Sequence, residues 1–486
     1  MLVRPNTSTI FSQLDELIRS GNGGNTSTAS VLAKLGTPCA SVAIMEDGVI
    51  SSHCFSTGQE NTETVFQACS ISKPTFAVAL LKLVDEGKLE LDSRIGDLLP
   101  QDVLDILTKD TSAALSSAVK SITIAQLLSH TSGLSQGGFP GYSVLDNARI
   151  PTLREVLTGA NPANTLDVHL QGFPGQSYSY SGGGFAVLQI IFETITNKDF
   201  ASAMQDILLG PLRMTRSFYH QLPTQEKNAA KCHWNGYTPC EDAQRVNPEQ
   251  AAASLWTTPS DLLKLVRAVQ QSLQRSDNTG FLRQETAKTM LTVVEQDVAL
   301  SWFIPGDLKS VFSHGGSNWP GFRTYVAGYA DLPGAGKVKI PENCGISIMT
   351  NAFEGDIVVW KLLQAIAYLK KWPEIPLPLG YTRVLPFRAP KEEIGTQWKR
   401  WLGNWTCGKK SWSIEADENG HPAIRYDQLP PSPLVQAAMS DTIRDGKTQA
   451  TNMMVDGLDV LIYFCEDDTI EIVKGRGQKT TKLVGA

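Results

Sequence analysis

The 486-residue chain has no hydrophobic run long enough to span a bilayer, no run of Lys or Arg and no CxxC pair. Its longest apolar stretches, such as Phe76 to Val84, are broken by Lys82. A membrane helix needs roughly 20 consecutive apolar residues, so no membrane partner is expected. Net charge is -6 without a basic cluster, which excludes a nucleic-acid footprint. The N-terminus, MLVRPNTSTIFSQLDELIRSGNGG, lacks an apolar core behind a basic start. No secretory leader is therefore expected, and the expected location is cytoplasmic. The eight cysteines read as reduced, buried, small hydrophobes. Cys232, His233 and Cys240 lie close together, but no second ligand pair follows at zinc spacing. No metal is expected there, and a loop disulfide would follow only if the protein were secreted. Internal repeats and low-complexity segments are also missing.

What is present is an ordinary globular composition, 42% hydrophobic and 19% charged, in a chain too long for one core. A helix is expected over residues 9–20, with Ile10, Leu14 and Leu17 on one face, Ser8 as cap and Gly21 as stop. ASVAIME and GVISSHCFS, joined at Asp47-Gly48, read as a β-hairpin. A helix then starts near Ser70, with Phe76, Leu80, Leu81, Leu83 and Val84 along one side. Pro74 is tolerated in its first turn, and Gly87 ends it. Residues 122–208 read as helices and irregular segments, including the short helix PTLREVLTG. Residues 259–272 form another helix, with Leu262, Leu265, Val266 and Val269 on one face. Strands follow at 311–313, 322–330 and 344–351, then a helix from Asp356 to Lys370. This α+β order lets the first and last strands share one antiparallel sheet. A proline-rich linker from Trp372 to Pro390 precedes short alternating strands: WSIEAD, AIRYDQL, LDVLIYF and TIEIVKG. Two domains are expected, residues 1–388 and an antiparallel β domain over 389–486.

Three stretches carry chemistry. In Ser70-Ile71-Ser72-Lys73, helical spacing brings the Ser70 hydroxyl and the Lys73 amine to one face. Ser70 sits at the positive end of the helix dipole, and a buried Lys loses proton affinity and becomes a base. In PGQSYSYSGGG (174–184), the glycines allow close approach, and a tyrosine beside Lys73 could shuttle a proton. In Phe312-Ser313-His314-Gly315-Gly316-Ser317, a strand through two glycines can present backbone N–H groups to a substrate. Taken singly, each has a bland alternative: a solvated helix turn, a Gly-rich turn with a core tyrosine, and a tight turn between strands.

Together and in this order, the three resemble the serine β-lactamase and penicillin-binding-protein superfamily, in its class C or β-lactamase-related branch. Tyr180-Ser181-Gly182 matches the family's Tyr-x-Asn, and His314-Gly315-Gly316 matches its Lys-Thr-Gly. The linking stretches ITIAQLLSHTSGL (122–134), PTLREVLTGANPANT (151–165), AAASLWTTPSDLLKL (251–265) and HGGSNWPGFRTYV (314–326) fit as well. The resemblance spans about residues 36 to 370. It implies a β-lactamase/transpeptidase-like domain, an antiparallel sheet flanked by helices plus a helical subdomain. The C-terminal domain resembles the lipocalin-like tail of some members.

The resemblance also implies roles. Ser70 would be the nucleophile, and Lys73 with Tyr180 the base and later acid. The backbone N–H groups of Ser70 and Ser317 would form the oxyanion hole. His314, Gly315, Gly316, Gly182 and Trp319 would contact substrate, Trp319 together with the 135–175 loop. Gly182 replaces an amide-contacting Asn, and His314 replaces a carboxylate-holding Lys. Both departures point away from efficient β-lactam hydrolysis and toward an ester, thioester or amide of a small molecule, including a natural-product intermediate. Tyr178 reads as a packing residue, His130 as a fold residue, and Glu226, Glu241 and Asp242 as solvated loop charges. No cofactor is expected, and a small-molecule acyl substrate is the expected partner. Acid–base lyase, isomerase or cyclase chemistry with Lys73 and Tyr180, and a non-catalytic scaffold, stay open as alternatives.

Overall fold

The computed structural model of the chain describes residues 8–20, 27–145, 149–219, 226–234, 238–240, 245–305, 310–332, 343–372 and 397–407. Beyond these it describes 410–417, 420–426, 431–436, 449–455, 460–465, 469–474 and 478–485. Residues 28–359 form one compact unit, and residues 1–27 with 360–486 form the other. The body of the expected linker, the expected boundary between 388 and 389, and Gly21, Glu241 and Asp242 lie outside the described residues.

The first unit is built on a five-stranded antiparallel sheet. Its strand order is Val49–Ser56, Cys39–Glu46, Gly345–Thr350, Phe322–Tyr329, Val311–Asn318. The hairpin closes where Glu46 pairs Val49, with Asp47 at φ 48° and Gly48 at φ 76°. Two successive positive φ angles define the primed turn that matches strand twist. Cys39–Glu46 pairs Gly345–Thr350, so the first and last strands of the unit do lie side by side. Phe322–Tyr329 is buried along its whole length, as a strand covered on both faces must be. The Pro259–Gln274 helix packs across four of these strands and buries Leu262, Leu265, Val266 and Val269. Its cap is Thr258, which accepts from the Asp261 N–H, with Pro259 in the first turn.

The helix behind Ser70 differs from its amphipathic reading. A 3₁₀ turn over Cys69–Ile71 leads into the Ser72–Asp85 helix, which is buried on every side except at Lys82 and Val84. A helix apolar all round belongs to a core. Phe76 locks it to neighbouring elements: its ring lies 5.2 Å from Phe192 and 5.2 Å from Phe200. Phe192 sits on the Gly182–Thr196 helix. Aromatic pairs add ~0.5–1.5 kcal/mol each beyond area burial. This cluster therefore fixes the distance between the helix that carries Lys73 and the one that follows Tyr180. The Tyr219 hydroxyl adds a bond to Ser72 O at 3.2 Å.

In the second unit, the Ser8–Ser20 helix buries Ile10, Leu14 and Ile18. That stripe runs at steps of four, so Ile18 takes the place expected of Leu17. The C-terminal strands number eight and close into an antiparallel barrel over Gly403–Gly485. Only four had been legible. Ile462, Phe464, Ile470, Ile472 and Leu483 fill its interior with Trp398, Trp401 and Trp405. No described helix is long and apolar enough to cross a membrane.

Candidate active site

Ser70 follows a residue in an unusual conformation. Cys69 has φ 56°, a left-handed value that costs a non-glycine residue energy. Buried bonds hold the turn in place. Ala68 N donates to Leu255 O at 2.7 Å. Ser72 Oγ donates to Cys69 O at 2.6 Å and accepts from Leu255 N at 3.0 Å. The edge strand Val311–Asn318 presses against the same turn at Gly316. A Cβ added to Gly316 would stand 2.5 Å from Ala68 O and 2.9 Å from Cys69 Cβ. Only glycine lets the strand approach this closely. The next residue, Ser317, is exposed.

Lys73 Nζ lies 3.2 Å from Ser70 Oγ and donates to Ala252 O at 2.8 Å. It also sits 5.0 Å from the centre of the Tyr180 ring. Lys73 is 2% exposed. Burial pushes its pKa from the usual 10.5 down to about 7, opposed by the neighbouring Cys69 thiol. Among the described residues no carboxylate pairs with it, so the amine loses its proton near neutrality. The Tyr180 phenol is raised above its ordinary value by burial, and its hydrogen bond with the Ser70 side chain opposes the rise. Ser70, Lys73 and Tyr180 thus converge on one point.

Two imidazoles flank Tyr180, and both stay neutral. His130 stacks on it with centroids 4.2 Å apart. His130 Nδ1 accepts from Ser181 N at 3.1 Å, which puts its proton on Nε2. Burial first, then the charges of Lys73 and His314, hold its pKa well below 6.5. The His314 ring lies 6.3 Å from the Tyr180 ring. Its Nδ1 is 2.6 Å from Gly315 O, and a carbonyl only accepts, so Nδ1 carries the proton and Nε2 is a bare acceptor. Burial, then the Lys73 charge, pushes His314 down to about 3. Neither Nε2 has a partner among the described residues. Beside Tyr180 there are thus one buried unpaired donor and one buried unpaired acceptor.

The other residues expected at the site fall as follows. Gly315 and Trp319 are exposed along and just beyond the edge strand. Gly182 is buried at the start of its helix, its N–H on Gln136 O at 2.7 Å. A Cβ there would meet Phe139 at 2.9 Å, so Gly182 allows packing against the 135–175 segment. Tyr178 is partly buried and meets His130 edge-on at 6.2 Å. Glu226 is not a solvated charge: Arg216 Nη1 donates to it at 2.7 Å, and Asn228 N donates at 2.8 Å. No group of three or more His, Cys, Asp or Glu that could hold a metal occurs among the described residues.

Two participants and one buried carboxyl near them in sequence escaped sequence reasoning. His130 was read as a fold residue, yet it stacks on Tyr180. The Ala252 carbonyl anchors Lys73 and carries no side-chain signal at all. Glu249, wholly buried three residues before Ala252, has both carboxylate oxygens without a partner among the described residues. Burial pushes its pKa up to about 7.

A Ser-x-x-Lys turn thus lies against the edge strand of an antiparallel sheet. The family model for Beta-lactamase matches residues 14–368, and the chain belongs to that family. Among curated proteins, Penicillin-binding protein 4 of Amycolatopsis lactamdurans is 32% identical over 156 residues, 32% of this chain. The match spans about a third of that relative's length, 36%. Among solved structures, an octameric penicillin-binding protein homologue from Pyrococcus abyssi superposes with a TM-score of 0.55 at 18% identity, covering 99% of this chain and all of that one. A hydrolase described as having promiscuous acyltransferase activity gives a TM-score of 0.52 at 17% identity, covering 71% of this chain and 96% of that one. These likenesses show the fold.

Proposed function

We propose that the chain is an acyl-enzyme hydrolase or acyltransferase for a small-molecule ester, thioester or amide, such as a natural-product intermediate. The observation that carries this reading is the buried Lys73 amine, 3.2 Å from Ser70 Oγ with its pKa brought down to about 7. In the neutral form, Nζ takes the Ser70 proton as Oγ bonds to the carbonyl carbon. Backbone N–H groups of Ser70 and Ser317 stabilise the oxyanion. Tyr180, in contact with Ser70, gives its phenol proton to the leaving group as the tetrahedral intermediate collapses and recovers one from the Lys73 ammonium, which leaves both groups neutral. Water, alcohol or amine then takes the acyl group by the reverse relay. Supporting the substrate class, burial keeps His314 neutral, so this position supplies no cation to hold a substrate carboxylate. The cytoplasmic location remains part of the proposal.

The test is labelling with a fluorophosphonate, alongside hydrolysis of p-nitrophenyl esters. Wild type should be labelled at Ser70 and turn over. A Ser70→Ala variant that retains full esterase activity would overturn the reading.

A further inference from the structure

Three large aromatic side chains stand exposed together: Trp234 is 40% exposed, Trp319 45% and Phe353 38%. Trp234 and Trp319 meet edge to face with centroids 4.6 Å apart, and Trp319 and Phe353 lie 6.0 Å apart. Single exposed apolar side chains are ordinary, whereas a contiguous set marks a binding surface. The rings come from three separate segments, and buried bonds brace them. His233 N donates to Asn351 O at 2.8 Å, and Phe353 N donates to His233 O at 3.0 Å. Arg323, only 7% exposed, lies 4.8 Å from the Phe353 ring centre. Its Nε pairs with Asp356 at 3.1 Å, and its Nη1 donates to Asn318 O at 3.3 Å, one residue before Trp319. A shelf held this way has little ordering entropy left to lose on binding.

The position of the shelf says which part of a substrate it would meet. Trp319 follows Ser317, the second oxyanion donor, by two residues, a distance of roughly 7 Å along extended chain. The proton donor Tyr180 lies on the other side of Ser317, beside His314, three residues earlier in the same strand. Around the tetrahedral carbon, the leaving group must face its proton donor. The acyl substituent then runs the other way, toward Trp319.

We propose that Trp234, Trp319 and Phe353 form an acyl-side subsite that selects substrates with a medium-chain or aryl acyl group over short acyl groups. The inference rests on the acyl-Ser70 reading and adds no covalent step, since the rings only bind.

The test compares kcat/KM for p-nitrophenyl octanoate and p-nitrophenyl acetate. Wild type should prefer octanoate. Trp234→Ala and Trp319→Ala should each lower the octanoate-to-acetate ratio roughly tenfold, mainly through KM, because apolar pockets discriminate by about that factor per few contacts. Trp319→Phe should keep most of the ratio. A ratio within about twofold of wild type in both alanine variants overturns the subsite. So does a change in the sedimentation mass of Trp234→Ala without a change in ratio, which would make the patch a self-association surface. Binding is read apart from chemistry by titrating octanamide into Ser70→Ala and following tryptophan fluorescence. Saturable binding that Trp234→Ala weakens supports the shelf even if no acyl-enzyme forms, in which case only the Ser70 reading falls. No saturable binding to Ser70→Ala overturns the shelf itself.

Discussion

Replacing Lys73 with Met should stabilise the protein at neutral pH while abolishing its activity. Met keeps an unbranched apolar stem of similar volume and removes the amine. The drop of the Lys73 pKa from 10.5 to about 7 means that the charged form is penalised by about 5 kcal/mol in the folded state. The unfolded chain holds the proton up to pH 10.5, while the folded chain releases it near 7. Wild-type stability therefore climbs as pH rises through that window. At pH 7 the titration still costs the folded state about 4 kcal/mol relative to a neutral side chain, and at pH 9.5 about 1 kcal/mol. Against this, the variant leaves Ala252 O without its bond, a pH-independent loss of ~1–3 kcal/mol. Desolvation wins at pH 7, and the two effects roughly cancel at pH 9.5. The assay is calorimetry of both proteins across this range, following the transition that the substitution moves. The stability gap should favour Lys73→Met at pH 7 and shrink by about 3 kcal/mol by pH 9.5. A gap independent of pH, or one that favours wild type at pH 7, would mean that Lys73 stays charged and cannot serve as a base.

Tyr180→Phe should cut kcat by ~10²–10⁴ on an activated ester with little change in melting temperature, and Tyr178→Phe by only a few-fold; the reverse outcome would move the proton relay to Tyr178. Glu249→Gln tests the buried carboxyl, whose pKa is raised from 4.5 to about 7. The folded state keeps that proton while the unfolded chain loses it from 4.5 upward, so wild type loses stability as pH climbs from 4.5 to 7. The variant should gain about 3 kcal/mol relative to wild type across that window, read by melts at both ends. Penicillin G and a chromogenic cephalosporin should be turned over far more slowly than a good ester. Values near ~10⁶ M⁻¹s⁻¹ would contradict this.

Local signals were the most legible part of the fold. Asp47-Gly48 announced its turn because two positive φ angles demand such residues, and runs rich in β-branched and apolar residues marked the strands of the sheet. Ser70, Lys73 and Tyr180 could be named because each carries its chemistry in a side chain at motif spacing. What stayed hidden was assembled by tertiary contact. Phe192 and Phe200 enclose Phe76 from segments over a hundred residues away, so a helix read as one-sided is buried all round. The Ala252 carbonyl is a backbone atom with no compositional trace. His130 looked structural because its bond to Ser181 is structural, and only its stack on Tyr180 brings it into the site. Half the barrel strands were missed where runs such as SPLVQ and QKTTKLVG lack clean alternation.

The central claim is that Ser70 carries the acyl group. Acid-quenched samples taken during turnover of p-nitrophenyl acetate, weighed as intact protein and then mapped by peptide, test it most directly. The account predicts one acetyl group per chain, located on Ser70, in wild type and none in Ser70→Ala. Turnover at the wild-type rate with no covalent adduct, or an adduct on any other residue, would contradict it.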